Sequence, residues 1–171
     1  MIIGHGDIAS ALKDLPAGRH GKKDLIFFAA GVSNSRETRK SEYKREEDLL
    51  MKQNKNKHLI YFGSLSAFYN PHTRYIRHKR HMEELVRSHF KHYTIVRLGN
   101  ITWGKNPNTL INYFRNAAKK GEKLEIWDTY RYLVNKNEFL HWIGMIPDWN
   151  CEMNITGQRL KVKQIVKRYV R

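Results

Sequence analysis

Tyr75 and Lys79 stand four residues apart in the run Tyr75-Ile76-Arg77-His78-Lys79, where a segment of helical periodicity begins. Side chains at that spacing share a helix face roughly 5–6 Å apart, so the ammonium can lie beside the phenol and favour its ionised form. A free phenol titrates near pH ~10, too high for easy proton exchange at neutral pH, and a fixed cation is the help it needs. Tyr75 is therefore a candidate proton carrier and Lys79 the group that tunes it. Ser64 ends the apolar run His58-Leu59-Ile60-Tyr61-Phe62-Gly63. Its hydroxyl could hydrogen-bond a substrate oxygen on which Tyr75 acts. Serines such as Ser64 and Ser66 serve equally well as caps and turns.

Two small-residue stretches could receive a ligand. Gly4-His5-Gly6-Asp7-Ile8-Ala9 follows one apolar run and opens an amphipathic one. Glycine at Gly4 and Gly6 allows a tight turn and close approach of a pyrophosphate, and Asp7, Ile8 and Ala9 would open the helix that presents free N–H groups. A plain packing turn would use the same residues. Ala29-Ala30-Gly31-Val32-Ser33-Asn34-Ser35 ends the second apolar run. There Ala29, Ala30 and Gly31 would leave room for a cofactor, with Ser33 and Asn34 towards a substrate, at the carboxyl ends where open parallel sheets bind ligands. An ordinary strand exit rich in turn formers reads the same way. The pairs His78/His81 and His89/His92 lack the further ligands a zinc site requires, so they read as exposed, partly basic positions and no metal is expected.

These residues need a scaffold, and the hydropathy pattern supplies one. Apolar runs alternate with amphipathic ones, as in a parallel sheet flanked by helices. Strands are expected at 1–4, 24–30, 57–63 and 93–98, with shorter ones near 125–127 and 152–155. Helices are expected at 7–13, 41–53, 75–90, 108–119, 137–145 and 160–169, the clearest being 75–90, where Met82, Leu85, Val86 and Phe90 form one stripe. A chain of 171 residues fits one domain, 1–171, in which about 100–171 would contribute the substrate-side elements.

Thirty-two Lys and Arg against sixteen acidic residues give a formal charge of +16. Such a charge attracts phosphates, nucleic acid or acidic surfaces. The basic residues are spread along the whole chain, which favours a phosphate-bearing small molecule over a dedicated nucleic-acid surface. No run approaches the ~18 apolar residues of a membrane span, and the first residues lack the pattern of a secretory leader. A cytoplasmic protein is the expectation. Cys151, the only cysteine, leaves no internal disulfide.

Gly4 to Ala9, Ala29 to Ser35, Ser64 with Tyr75 to Lys79, Arg97-Leu98-Gly99-Asn100 with Gly104, and Asn154-Ile155-Thr156-Gly157 resemble, in that order, the NAD-dependent epimerase/dehydratase family of extended short-chain dehydrogenases. The likeness is strongest to its compact members among surface-polysaccharide enzymes, where a Ser-Asn-Ser loop is followed by an Arg-Glu pair, here Arg45-Glu46. The resemblance implies a Rossmann-like fold and NAD or NADP as cofactor. It also implies a nucleotide-sugar substrate, with reversible hydride transfer at a sugar carbon. Tyr75 would be the acid/base, and Lys79 would lower its pKa and hold the nicotinamide ribose. Ser64, or Ser66, would orient the substrate oxygen, Gly4, Gly6 and Ala9 would face the pyrophosphate, and Asn100 would lie on the substrate side.

The family pattern is abbreviated here. Full-length relatives carry an additional strand-helix-strand stretch between the glycine turn and Ala29-Ala30-Gly31, whereas about twenty residues intervene in this chain, too few for that crossover. The second and third strands of the usual fold are thus expected to be missing, and the substrate region is very small. Asp24 has the spacing of a ribose-binding acid but begins a strand. Lys22, Lys23, Arg36 and Arg39 could meet the extra phosphate of NADP. The same shortening admits a binding protein that keeps the fold without the chemistry and recognises a nucleotide or nucleic acid. It also admits a homo-oligomer in which a partner chain completes the adenosine site.

Overall fold

The computed structural model describes residues 1–16, 24–69 and 71–170. Its main layer is a five-stranded, fully parallel sheet in the order β1-β2-β3-β4-β7, formed by β1 (Ile2–Ile3), β2 (Leu25–Phe28), β3 (His58–Ser64), β4 (His92–Leu98) and β7 (Cys151–Ile155). Alternate residues of these strands fill two separate cores. Phe27, Ile60, Phe62 and Val96 pack on one face with Leu12 of α1 (Asp7–Leu12) and Phe139 of α5 (Lys136–Gly144). Ile26, Phe28, Leu59, Tyr61 and Ile95 pack on the other with Leu50 of α2 (Lys40–Met51) and Met82 and Val86 of α3 (Arg74–His89). A sheet covered on both faces needs strands that are apolar throughout, which is why the central strands read as continuous apolar runs. This is an α/β, Rossmann-like architecture.

The abbreviation has a definite place in the sheet. The strand order stops at β1, and β2 lies directly beside it, so the first crossover joins adjacent strands. A second, three-stranded sheet in the order β5-β6-β8 stands on the far side, built from β5 (Asn100–Ile101), β6 (Tyr130–Val134) and β8 (Gln158–Lys161). It packs on α4 (Leu110–Lys119) and α6 (Val162–Tyr169) through Ile111, Leu133 and Ile165. Gly157, at φ +63°, turns β7 into β8, and any side chain there would strike the Leu133 carbonyl.

This second sheet departs from the sequence expectation. The strand expected near 125–127 lies instead at β6, and 160–161, expected to open the last helix, end β8. The rest of the order stands, and no helix of the described residues is long and apolar enough to cross a membrane.

Candidate active site

The carboxyl ends of β1, β2 and β3 open into one cleft of about 610 Å³. Gly4, Gly6, Asp7 and Ile8 line it from the first turn, and Ala29, Ala30, Gly31 and Ser33 line it from the loop after β2. Ser64, Ser66, Tyr75 and Lys79 line it from the end of β3 and the start of α3, and Asn100 closes the far side. Most of the residues singled out in the sequence therefore meet in one place. Ala9 and Asn34 do not: Ala9 is wholly buried within α1, and the Asn34 side chain accepts the Arg36 amide at 3.0 Å to cap its own loop.

The first turn owes its shape to Gly4, at φ +118°, where a Cβ would come within 2.5 Å of the Ala29 carbonyl oxygen. Only glycine lets β1 and the end of β2 approach so closely. Gly6 faces open space, with nothing within 4 Å of the Cβ position. The Asp7 carboxylate is engaged within the protein: it accepts the backbone amides of Lys105 and Asn106, each at 3.0 Å, and Asn106 in turn donates to Ser33 Oγ at 2.9 Å. The loop around Gly104 is thereby tied to both small-residue stretches. Helix α1 is only six residues long, which leaves its dipole a smaller part than the sequence suggested.

Tyr75 enters from the first turn of α3, which Thr73 caps by accepting the Ile76 amide at 3.2 Å. Ser64 lines the same cleft as Tyr75, and its hydroxyl caps the short 3-10 turn Leu65–Phe68 by accepting the Ser66 amide at 3.2 Å. Lys79 lies one helical turn on, its Nζ 5.7 Å from the Tyr75 ring centroid and 5.5 Å from that of Tyr61. The expectation for Tyr75 needs correction. Burial raises its pKa above the usual phenol value, and although Lys79 and Ser64 pull it down, they do not overcome that cost.

Beside burial, a residue to which the sequence assigned no role adds to the rise. Glu46 of α2 is completely buried and its Oε1 accepts from Lys79 Nζ at 2.9 Å. Burial pushes the Glu46 carboxyl up, but the Lys79 charge, His78 and the Val32 amide outweigh it and hold the group well below the usual carboxylate range. Lys79 is a cation by the same balance, burial lowering its pKa and Glu46 more than restoring it. A glutamate at a buried helical position, in the stripe Tyr43, Glu46 and Leu50, was the available signal. His78, expected to be exposed, is largely buried with Nε2 3.0 Å from Glu46 Oε2.

The adenosine side is less well furnished. Lys22 and Lys23 lie outside the described residues. Arg39 is paired with Glu37 at 2.8 Å and the Arg36 guanidinium sits 5.2 Å from the Tyr113 ring centroid. Neither lines the cleft. Asp24 is exposed ahead of β2, at the opposite end of the strand from the cleft.

No protein-family model and no curated protein matches this sequence. Solved structures do match in fold. A UDP-galactose 4-epimerase superposes with a TM-score of 0.64 at 15% identity, over 92% of this chain and 64% of the other. The Bordetella bronchiseptica enzyme WbmG, in complex with NAD, gives 0.58 at 15% identity over 84% and 55%. The capsular polysaccharide assembling protein CapF of Staphylococcus aureus gives 0.57 at 20% over 85% and 44%. What the likeness shows is the fold. This chain spans roughly half to two thirds of the length of these structural neighbours.

Proposed function

We propose that this chain is the core of an NAD(P)-dependent enzyme acting on a sugar nucleotide, with Tyr75 as proton carrier, Ser64 as orienting hydroxyl and Lys79 as their cation. The observation that carries this reading is the convergence of the glycine turn, the Gly31 loop, Ser64, Tyr75 and Lys79 on one cleft at the carboxyl ends of parallel strands. WbmG and a UDP-glucuronic acid 4-epimerase from Bacillus cereus, both of similar fold, were crystallised with NAD. The residues present fit the pyrophosphate and nicotinamide part of such a cofactor. Gly6 leaves open space at the first turn, and the cleft volume lies in the range of ligand sites. The adenosine part has the weaker fit, since the strand order ends at the two-residue β1.

A nicotinamide held there would supply hydride exchange. The chain's own part is the proton. With its pKa raised by burial above the ordinary phenol value, Tyr75 rests as a neutral donor, suited to protonating a sugar carbonyl oxygen in the reductive direction and taking the proton back in the oxidative one. Ser64, on the wall of the same cleft, would hold the same oxygen. Pathway membership in polysaccharide or deoxysugar synthesis belongs to this proposal, and CapF is the neighbour that supports it.

Replacing Tyr75 by Phe should lower turnover of a UDP-sugar by about 10²- to 10⁴-fold with the circular dichroism spectrum unchanged. Undiminished turnover would remove Tyr75 from the chemistry. NADH and NADPH fluorescence titrations, run beside RNA binding across a salt series, separate this reading from a binding protein. RNA affinity falling steeply with salt, with no dinucleotide signal, would favour the latter.

A further inference from the structure

A carboxylate in the buried stripe of a helix is costly unless every lone pair is used. Glu46 meets that condition with donors from three directions. Oε1 accepts from Lys79 Nζ at 2.9 Å and from Tyr61 Oη at 3.0 Å. Oε2 accepts the Val32 amide at 2.7 Å and lies 3.0 Å from His78 Nε2. The partners come from α3, from β3 and from the loop after β2, so this one side chain joins the second and third strands to the helix that carries Tyr75. Gly31 makes room for the arrangement: a Cβ there would sit 2.6 Å from Lys79 Nζ and 2.9 Å from Glu46 Oε1. The glycine that sequence reading reserved for a cofactor is also the lid of an ion pair.

We infer that Glu46 is a positioning residue for the proton-transfer pair: it holds the Lys79 ammonium beneath Gly31 on the Tyr75 side of the cleft and keeps it a cation. The inference rests on the roles proposed above for Tyr75 and Lys79. Lysine has four rotatable bonds in its stem and three freely turning donors, so without a fixed acceptor its head would not stay in one place. The charge of Glu46 also opposes ionisation of Tyr75 while that of Lys79 favours it. The titratable groups packed around the pair are Tyr43 on the same helix, Tyr75, His78 and Glu83 on α3, and Tyr61 on β3.

The test follows Lys79 without cofactor, through the pH titration of its ¹³Cε resonance in lysine-labelled protein, assigned by its loss in Lys79→Arg. In Glu46→Gln, similar in size but uncharged, the Lys79 midpoint should fall below that of the wild type, and NADH affinity should weaken about tenfold. Glu46→Asp keeps the charge at a longer reach and should lie between. A Lys79 midpoint identical in wild type, Glu46→Gln and Glu46→Asp overturns the inference. Should Glu46→Gln fail to fold, Glu46→Asp decides by the same criterion. A shifted Lys79 titration in a protein whose wild type ignores NADH and NADPH would sink the dinucleotide reading and leave the coupling of Glu46 to Lys79 supported.

Discussion

Glu46 and Glu83 are both buried helical carboxylates, and each faces a glycine at the end of a neighbouring strand. Glu46 lies against Gly31, and Glu83 Oε1 would be 2.8 Å from a Cβ on Gly63. Their partners differ in kind. Glu83 holds the Arg97 guanidinium, with Nε at 2.9 Å from Oε1, and Arg97 passes on to Glu152, which Arg87 grips at 2.7 Å. That chain of planar forks clamps β4 and β7 to α3 and can hardly rearrange. Glu46 holds a lysine, a compact charge whose proton and position respond to the surroundings. One junction is built to stay, and the other places a cation where a proton would be exchanged.

The widest separation should come from removing each cation. Lys79→Met should cut dinucleotide-dependent turnover by about 10²-fold or more, whereas Arg97→Met should cost about 3 kcal/mol of stability in urea unfolding and leave NADH affinity near that of the wild type. Equal losses of activity in the two variants would erase the distinction.

Acid should sharpen the same contrast. The Glu46 carboxyl is depressed in the folded protein, so its contribution is complete above the unfolded value of about 4.3 and is lost as pH falls through the lower folded value. Urea midpoints should therefore drop as pH falls below about 4.3, and Glu46→Gln should lack its share of that drop. Lys79 acts at the other limit. Its raised value means full stabilisation below about pH 10.4, lost as pH climbs through the folded value.

The smallest effects belong to the glycines. Gly31→Ala pushes on Lys79 and Glu46, and Gly63→Ala on Glu83. Each should cost about 1–3 kcal/mol by overpacking, but only Gly31→Ala should also weaken NADH binding by fluorescence. Weakened binding in both variants would show that the two junctions are not separate.

The central sheet was legible in the sequence because strands buried on both faces announce themselves as apolar runs between amphipathic helices. The smaller sheet was not. In β6 only Leu133 and Val134 are buried, and β8 is polar at Gln158 and Arg159, so neither shows a strand period. At the site, the four-residue spacing of Tyr75 and Lys79 could be read locally, and so could the glycine turn. Glu46 reaches Lys79 across 33 residues of chain, and nothing in a local window reports such a meeting. The opposite expectation for the Tyr75 proton followed from counting the Lys79 charge and missing the burial of the phenol, with the Glu46 charge behind it. Asp7 shows the same limit: its carboxylate accepts from backbone amides 98 and 99 residues away, a tie that no local window reports.

That Asp7 tie acts as a buckle between the first turn of the chain and a loop near its middle. The Lys105 amide is exposed and that of Asn106 half-buried, and both are engaged by one carboxylate. They should trade deuterium with solvent more slowly than their neighbour Gly104, and quicken in step if the cleft ever gapes to admit a guest.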